Sequence, residues 1–500
     1  MTHRDERDAM TVTDETLSLT RQALANPQPF GSLAKAFTQP TSPVSGLAWY
    51  DLEAPAKTLY PVITPIRNMI PRVSAAGGIQ ANWRAITGVN VGNATFGVSE
   101  GNRGPVLVTS TQDYQASYRG YGFDDFATFE ASYAAQGFDD LQARTMQGLI
   151  QALMIQEEKI VIGANTSIAL GTTPTPSLTA AATGGSIPAG TQSVICVALS
   201  YEGFLGASVA GGLPLSGSRA LADGSTEQVN QGTAKQSANA TIATTGSSSA
   251  VTASVAPVAG AFGYAWFLGA AGQEKLAAIT TTGSAILTQP ASSGAQPAAA
   301  GFASDFSRNG LIFDGLFSQI LTPGSGAYVS TLPNGQALTG DDTGGVVEID
   351  AALQAFWDNY RLSPDTIWVS SQEQRNITRK VLASSNSAAQ RFIINVEQGA
   401  IKGGDLVTTY LNKFSMDGAQ AIPVKLHPNM PPGSILFTTS QIPYPLSNVA
   451  NVLQMRMRQD FFAIEWPRRT RKWEYGIYAD GVLQNYFPPA FGLITNIANG

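Results

Sequence analysis

The sequence predicts an α+β protein interrupted by an inserted all-β module. Three observations predict it. A long amphipathic helix pattern covers Gly137 to Gly163, and the charged residues then almost vanish between Thr166 and Ala303. After Asp305, helix and strand patterns alternate again. The chain has 500 residues, more than a single growing core sustains, so two or three compact units are expected.

Residues 1 to 60 alternate polar stretches with Pro and Gly, and their one helical patch, Glu15 to Leu24, is too short to stand alone. They read as an extended arm. In Leu59 to Val73 an apolar run is broken by Pro61, Pro65 and Pro71, which argues against both a helix and a central strand. From Ser74 to Ser117 a polar, Gly-bearing middle lies between strand-like flanks, the pattern of a long hairpin. A two-stranded hairpin is only marginally stable by itself, so this one is expected to rest on another surface.

The helix over Gly137 to Gly163 has Asp139 and Asp140 where its dipole favours carboxylates, and Gly163 at its stop. Leu141, Met146, Leu149, Ile150, Leu153 and Met154 form its apolar stripe. The stretch Thr166 to Ala303 holds seven charged residues, Glu202, Arg219, Asp223, Glu227, Lys235, Glu274 and Lys275, amid Ser, Thr, Gly and Ala. A low-complexity linker would share that composition. Tyr264, Trp266 and Phe267 favour a packed core, for which Val194, Cys196 and Val197 are further candidates. Beyond it, Ile349, Leu353, Phe356, Trp357 and Tyr360 share a helical face that ends before Ser363-Pro364. The strand TIWVSS follows, and Ser370 with Glu373 has capping-box spacing for a second helix through Leu382. No repeat at solenoid spacing is present.

Chemistry finds little foothold in this chain. His3 and His427 are its only histidines, and His427 reads as a surface-loop residue before a proline. With one cysteine, Cys196, there is neither an intramolecular disulfide nor a thiolate-rich zinc site. The pair Asp139-Asp140 reads as helix-start electrostatics and Asp341-Asp342 as a turn; Asp124-Asp125 proves little by adjacency. No phosphate loop or dinucleotide fingerprint appears. No catalytic residue, metal or cofactor is expected. A net charge of -6 argues against a primary nucleic-acid binder, so any DNA contact is expected to be local. The charged start and the lack of a long apolar run predict neither a secretion signal nor a membrane span. Candidate contact charges, to other subunits or to DNA, are Arg84, Arg103 and Arg119 around the hairpin and Arg468, Arg469, Arg471 and Lys472 near the end.

The order of elements resembles the Hong Kong 97-like major capsid proteins of tailed bacteriophages. The Ser74 to Ser117 hairpin is similar to that family's extended loop and Gly137 to Gly163 to its spine helix. FDGLFSQIL at Phe313 to Leu321 resembles the opening of its later half, and IDAALQAFWDNYRLSPDTIWVSS the helix, turn and strand of its axial domain. The ending YGIYADGVLQNYFPPAFGLI is similar to its return strand. The resemblance implies an N-terminal arm over 1–60 and a peripheral domain opening over 61–165, with its extended loop at 74–117 and spine helix at 137–163. An inserted immunoglobulin-like or fibronectin-like domain over 166–303, an axial domain over 304–460 and a return to the peripheral domain over 461–500 complete the division. It also implies pentamers and hexamers of this chain, closing into an icosahedral shell around double-stranded DNA, made in the host cytoplasm and resident in the virion. Portal, scaffolding and decoration proteins are the implied partners, with no membrane. An encapsulin-like nanocompartment shell, a β-rich surface adhesin and an enzyme of unknown type are the alternatives. Some relatives cross-link through a loop lysine. Here no lysine lies between Lys57 and Lys159, so that bond is not expected. The insert is expected to fold separately, outside the shell, and to be dispensable for it.

Overall fold

The computed structural model describes residues 61–89, 97–104, 106, 108–136, 139–221, 223–298, 301–382, 406–416, 418 and 420–500; the arm expected over 1–60 lies outside them. The described residues open with α1 (Pro65–Met69), β1 (Arg72–Ser74), β2 (Gln80–Val89), β3 (Thr109–Ser117), β4 (Arg119–Thr128), α2 (Phe129–Ala134) and α3 (Leu141–Gly163). Its middle contributes β5 (Ser177–Ala181), β6 (Gly190–Leu199), α4 (Tyr201–Gly206), β7 (Gly217–Ala220), β8 (Thr226–Val229), β9 (Ala240–Thr244), β10 (Ala250–Ser254), β11 (Gly263–Gly269), β12 (Lys275–Thr280) and β13 (Ser284–Leu287). Then come α5 (Leu316–Leu321), β14 (Tyr328–Thr331), α6 (Val347–Tyr360), β15 (Thr366–Val369), α7 (Ser371–Leu382), β16 (Thr409–Asn412) and β17 (Gln420–Leu426). Four strands close the chain: β18 (Ile435–Thr438), β19 (Leu453–Glu465), β20 (Lys472–Asn485) and β21 (Gly492–Thr495).

These elements make a mixed α+β fold. One four-stranded sheet, in the order β1-β19-β20-β4, joins the start of the chain to its end. The helix α3 packs on this sheet, with Leu149 and Leu153 buried as the periodicity predicts and Ile150 exposed against it. Asp140 caps α3 by accepting from the Gln142 and Ala143 amides at 3.1 and 3.2 Å. The start of the chain corrects the sequence reading. Pro65 does not forbid a helix but begins one, because a first-turn proline loses no intrahelical bond. The hairpin pairs β2 with β3, from Gln80 opposite Ser117 to Val89 opposite Thr109, as a separate two-stranded ribbon.

The second large sheet has six strands in the order β14-β21-β18-β15-β17-β16. Its centre, β15, is buried along its whole length, so an unbroken apolar run suits it better than alternation. Ile349, Leu353 and Phe356 of α6 pack into the core beside it, and the Ser370-Glu373 box opens α7 as its spacing predicts. The last 40 residues divide between the sheets. The strand β20 returns to the four-stranded sheet, which β19 already joins from Leu453, while β21 enters the six-stranded one.

Between them the Thr166 to Ala303 stretch forms two antiparallel sheets, β13-β10-β5 and β12-β11-β6-β9, with a small β7-β8 ribbon. Tyr264, Trp266, Val194 and Cys196 lie in one buried cluster and Phe267, Ile195 and Val197 in another, so β6 and β11 send alternate side chains to opposite faces. The ends of the stretch sit side by side, since Asn165 Nδ2 donates to the carbonyl of Ser307 at 3.0 Å and Gly171 N to Asp305 at 2.8 Å. Two aromatic rings from this stretch leave it, however. Tyr201 and Phe262 belong to the main core, where Phe262 stacks on Phe317 at 4.6 Å and Tyr201 meets Phe317 edge-on at 5.5 Å. Gly163 makes room for Tyr201, because a Cβ there would come within 2.3 Å of the Tyr201 ring.

Candidate functional site

The charges singled out in the sequence fall into two exposed regions. On the hairpin, Arg84 of β2 lies opposite Asp113 of β3, and their side chains pair at 2.6 and 2.8 Å. That pairing raises the Arg84 pKa and lowers the Asp113 pKa. Arg103 and Arg119 are exposed and carry no acidic partner among the described residues. The opposite face of the ribbon is aromatic at its base, with Trp83 stacked on Tyr114 at 5.8 Å and edge-on to Tyr486. A cavity of about 540 Å3 lies there, lined by Trp83, Tyr114, Arg119, Ile312, Pro323 and Pro488 among others. The outer part of the ribbon is solvent-exposed on both faces, and Ile86, Val106 and Val108 are 70%, 91% and 63% exposed.

The second region is the turn between β19 and β20. Arg468 approaches Glu465 at 3.8 Å, Arg471 pairs with Glu130 at 2.8 Å, and Lys472 with Glu474 at 2.7 Å. Lys472 also lies 4.3 Å from the centre of the exposed Phe126 ring, and Arg468 lies over Phe129 and Trp473. Arg469 has no such partner among the described residues and borders a groove of about 460 Å3 with Asp124, Asp125, Phe126 and Trp466. The cluster is therefore charge-balanced, without the uncompensated positive field that phosphate binding uses.

The most connected polar group was not legible in the sequence. Glu157 and Glu158, adjacent on α3, are both fully buried. The two carboxylate oxygens of Glu158 accept from the backbone amides of Ile66 at 2.9 Å and Arg67 at 2.6 Å, capping α1, whose own cap residue Thr64 supplies no side-chain bond. Glu157 accepts from Arg67, from Arg72 at 2.7 Å and from the Tyr121 hydroxyl at 2.6 Å. Arg72 reaches on to Asp460, and its guanidinium lies 4.6 Å from the Phe461 ring centre. Burial opposes the Arg72 charge, but the bonds to Asp460 and Glu157 outweigh it and hold its pKa above the ordinary arginine value. Burial and the neighbouring Glu157 together push the Tyr121 phenol well up.

His427 corrects its sequence reading as a surface residue. It is 3% exposed, with Nε2 at 2.5 Å from Glu158 Oε1 and Nδ1 accepting from the Asn429 amide at 3.1 Å. A backbone amide can only donate, so the ring proton sits on Nε2 and is given to the carboxylate. In the Asp341-Asp342 turn, Asp341 accepts from the amides of Thr343 and Gly345 at 2.8 and 2.6 Å. It also pairs with Lys413 at 2.9 Å, and these contacts outweigh partial burial and hold its carboxyl far below the usual range. Among the described residues no group of three or more His, Cys, Asp or Glu side chains is placed to hold a metal, and no helix is long and apolar enough to cross a membrane.

No protein-family model and no curated protein matches the chain. Among solved structures, the chain is similar to the capsid of Myoviridae phage XM1, with a TM-score of 0.40 and 8% identity over 90% of this chain and 97% of that one. It is similar to the structure described as Mycobacterium phage Bobi, with a TM-score of 0.40 and 11% identity over 90% and 94%. A third similarity is to the holo-SrpI encapsulin complex from Synechococcus elongatus, with a TM-score of 0.33 and 10% identity over 90% and 96%.

Proposed function

We propose that this chain is a structural shell subunit, the major capsid protein of a tailed bacteriophage, which self-assembles as pentamers and hexamers into an icosahedral head around double-stranded DNA. The observation that carries the reading is the β2-β3 ribbon. A two-stranded ribbon with exposed Ile86, Val106 and Val108 and no third strand among the described residues gains stability when it lies on another surface. Many copies of such a modest contact add up once a closed shell makes them simultaneous. The charge-balanced turn at Arg468 to Lys472 fits contact between subunits better than a DNA-gripping face. In this reading 166–303 is an immunoglobulin-like insert, DNA contacts are local, portal, scaffolding and decoration proteins are the partners, and no residue is catalytic.

Electron microscopy of the chain, expressed with any scaffold it requires, tests the proposal. Closed hollow particles built of capsomers are expected. Monodisperse monomers under every assembly condition would overturn it, and closed particles that load a protein cargo instead of DNA would replace the phage head by an encapsulin-like compartment.

A further inference from the structure

The buried joint contains a continuous line of hydrogen bonds that enters the middle stretch and leaves at the start of the chain. Tyr201, 1% exposed and located on α4, donates its hydroxyl to the Asn429 carbonyl at 3.1 Å. The Asn429 amide donates to His427 Nδ1 at 3.1 Å, and His427 Nε2 donates to Glu158 at 2.5 Å. The Glu158 carboxylate holds the amides of Ile66 and Arg67. Each side chain in the line is buried, so water does not compete for its bonds. The Tyr201 ring is fixed as well, between Gly163 and the Phe317 ring.

We infer that this line is a mechanical coupling device through which the 166–303 insert controls how firmly the Pro65–Met69 helix is held to α3. The line has few alternative arrangements. Asn429 sits in the loop HPNMPPG, where three prolines restrict the backbone, and Met430 of that loop is buried in the main core. Rotation of the insert at Tyr201 therefore pulls on the loop and on His427. Loss of the His427 bond leaves Glu158 with only the two amides, at a site buried from bulk solvent. The residues that share the joint but lie off the line, Glu157, Arg67, Arg72, Tyr121 and Asp460, hold the same strap from its other side. They set how tightly α1 is bound when the line is intact. The inference concerns the single chain and is independent of the shell proposal.

Amide hydrogen exchange on the purified full chain tests it. Tyr201→Phe keeps the ring in its packing and removes one hydroxyl, and it should speed exchange at the Ile66 and Arg67 amides about three- to tenfold, the effect of one lost hydrogen bond. Tyr264→Phe is the control, because its hydroxyl accepts from the Val258 amide inside the insert and is not part of the line. It should leave those two amides unchanged. In a double-mutant cycle, Tyr201→Phe with Glu158→Gln should be non-additive at the same amides, since both act on one line. Unchanged exchange in Tyr201→Phe, an equal acceleration in Tyr264→Phe, or full additivity in the cycle would each overturn the coupling.

Discussion

Glu157 and Glu158, adjacent in the last third of α3, are not singled out by any pattern in the sequence. Their partners explain why: the Ile66 amide is 92 residues away from Glu158 and His427 is 269, so neither local periodicity nor spacing contains them. Replacement of Glu158 by Ala is expected to cost about 3 to 5 kcal/mol, the range for removing one partner of a buried ionic group, because two amides and an imidazole lose their acceptor together. Urea titration followed by circular dichroism measures it, and Glu158→Gln should fall between the mutant and the parent. Glu202 supplies the pH test. Burial, against a hydrogen bond from Asn309, pushes its carboxyl up to about 7. The folded state therefore holds the proton where the unfolded chain, near 4.5, has already released it. Stability should fall as pH rises from about 4.5 to 7, and Glu202→Gln should flatten that part of the profile. A parent protein whose denaturation midpoint rises over this window refutes the assignment.

Elements were legible wherever a short-range signal exists. The capping-box spacing of Ser370 and Glu373, the carboxylates at the start of α3 and the core candidates Val194, Cys196, Val197, Tyr264, Trp266 and Phe267 are all local signals, and the structure places Ser370 at the start of α7, Asp140 at the cap of α3 and the six core candidates in buried clusters. The Pro65 helix was missed because prolines there read as breakers, although Thr64-Pro65 is a helix-start pattern, and because its cap comes from Glu158, far away in the sequence. The hairpin was legible as two strands, but its aromatic base was not, since Tyr486 meets Trp83 from the far end of the sequence. The ribbon also carries a chemical expectation. Without a lysine between residues 57 and 159 it has no amine with which to form an isopeptide bond. Mature particles boiled in denaturant should run as single chains on a reducing gel; a ladder of multiples would show covalent joining by another route.

At the scale of the whole molecule, the α+β class with a β-rich interruption was visible in composition, whereas the attachment of that interruption was not. Its ends lie together as an insertion requires, yet Tyr201 and Phe262 complete the core around Phe317 and Gly163. A Gly/Ser linker in place of 166–303 therefore removes two large buried rings, each worth about 3 to 5 kcal/mol when lost from a core. This is a stability cost, separate from the expectation that the module is dispensable for the shell. The linker variant should be markedly less stable in thermal melts, and a variant that keeps 198–206 and 259–264 should recover part of the loss. An unchanged melting temperature in the plain linker variant would show that the two rings contribute little to the core. The four-stranded sheet has a different kind of consequence. Its strands β1 and β4 are made early, but the strands that separate them, β19 and β20, end only at Asn485. At about 5 to 20 residues per second, a ribosome needs roughly 20 to 70 seconds to travel from β4 to the end of β20. Throughout that interval the nascent chain has no finished four-stranded sheet, so β1 and β4 wait with the edges that face β19 and β20 unpaired.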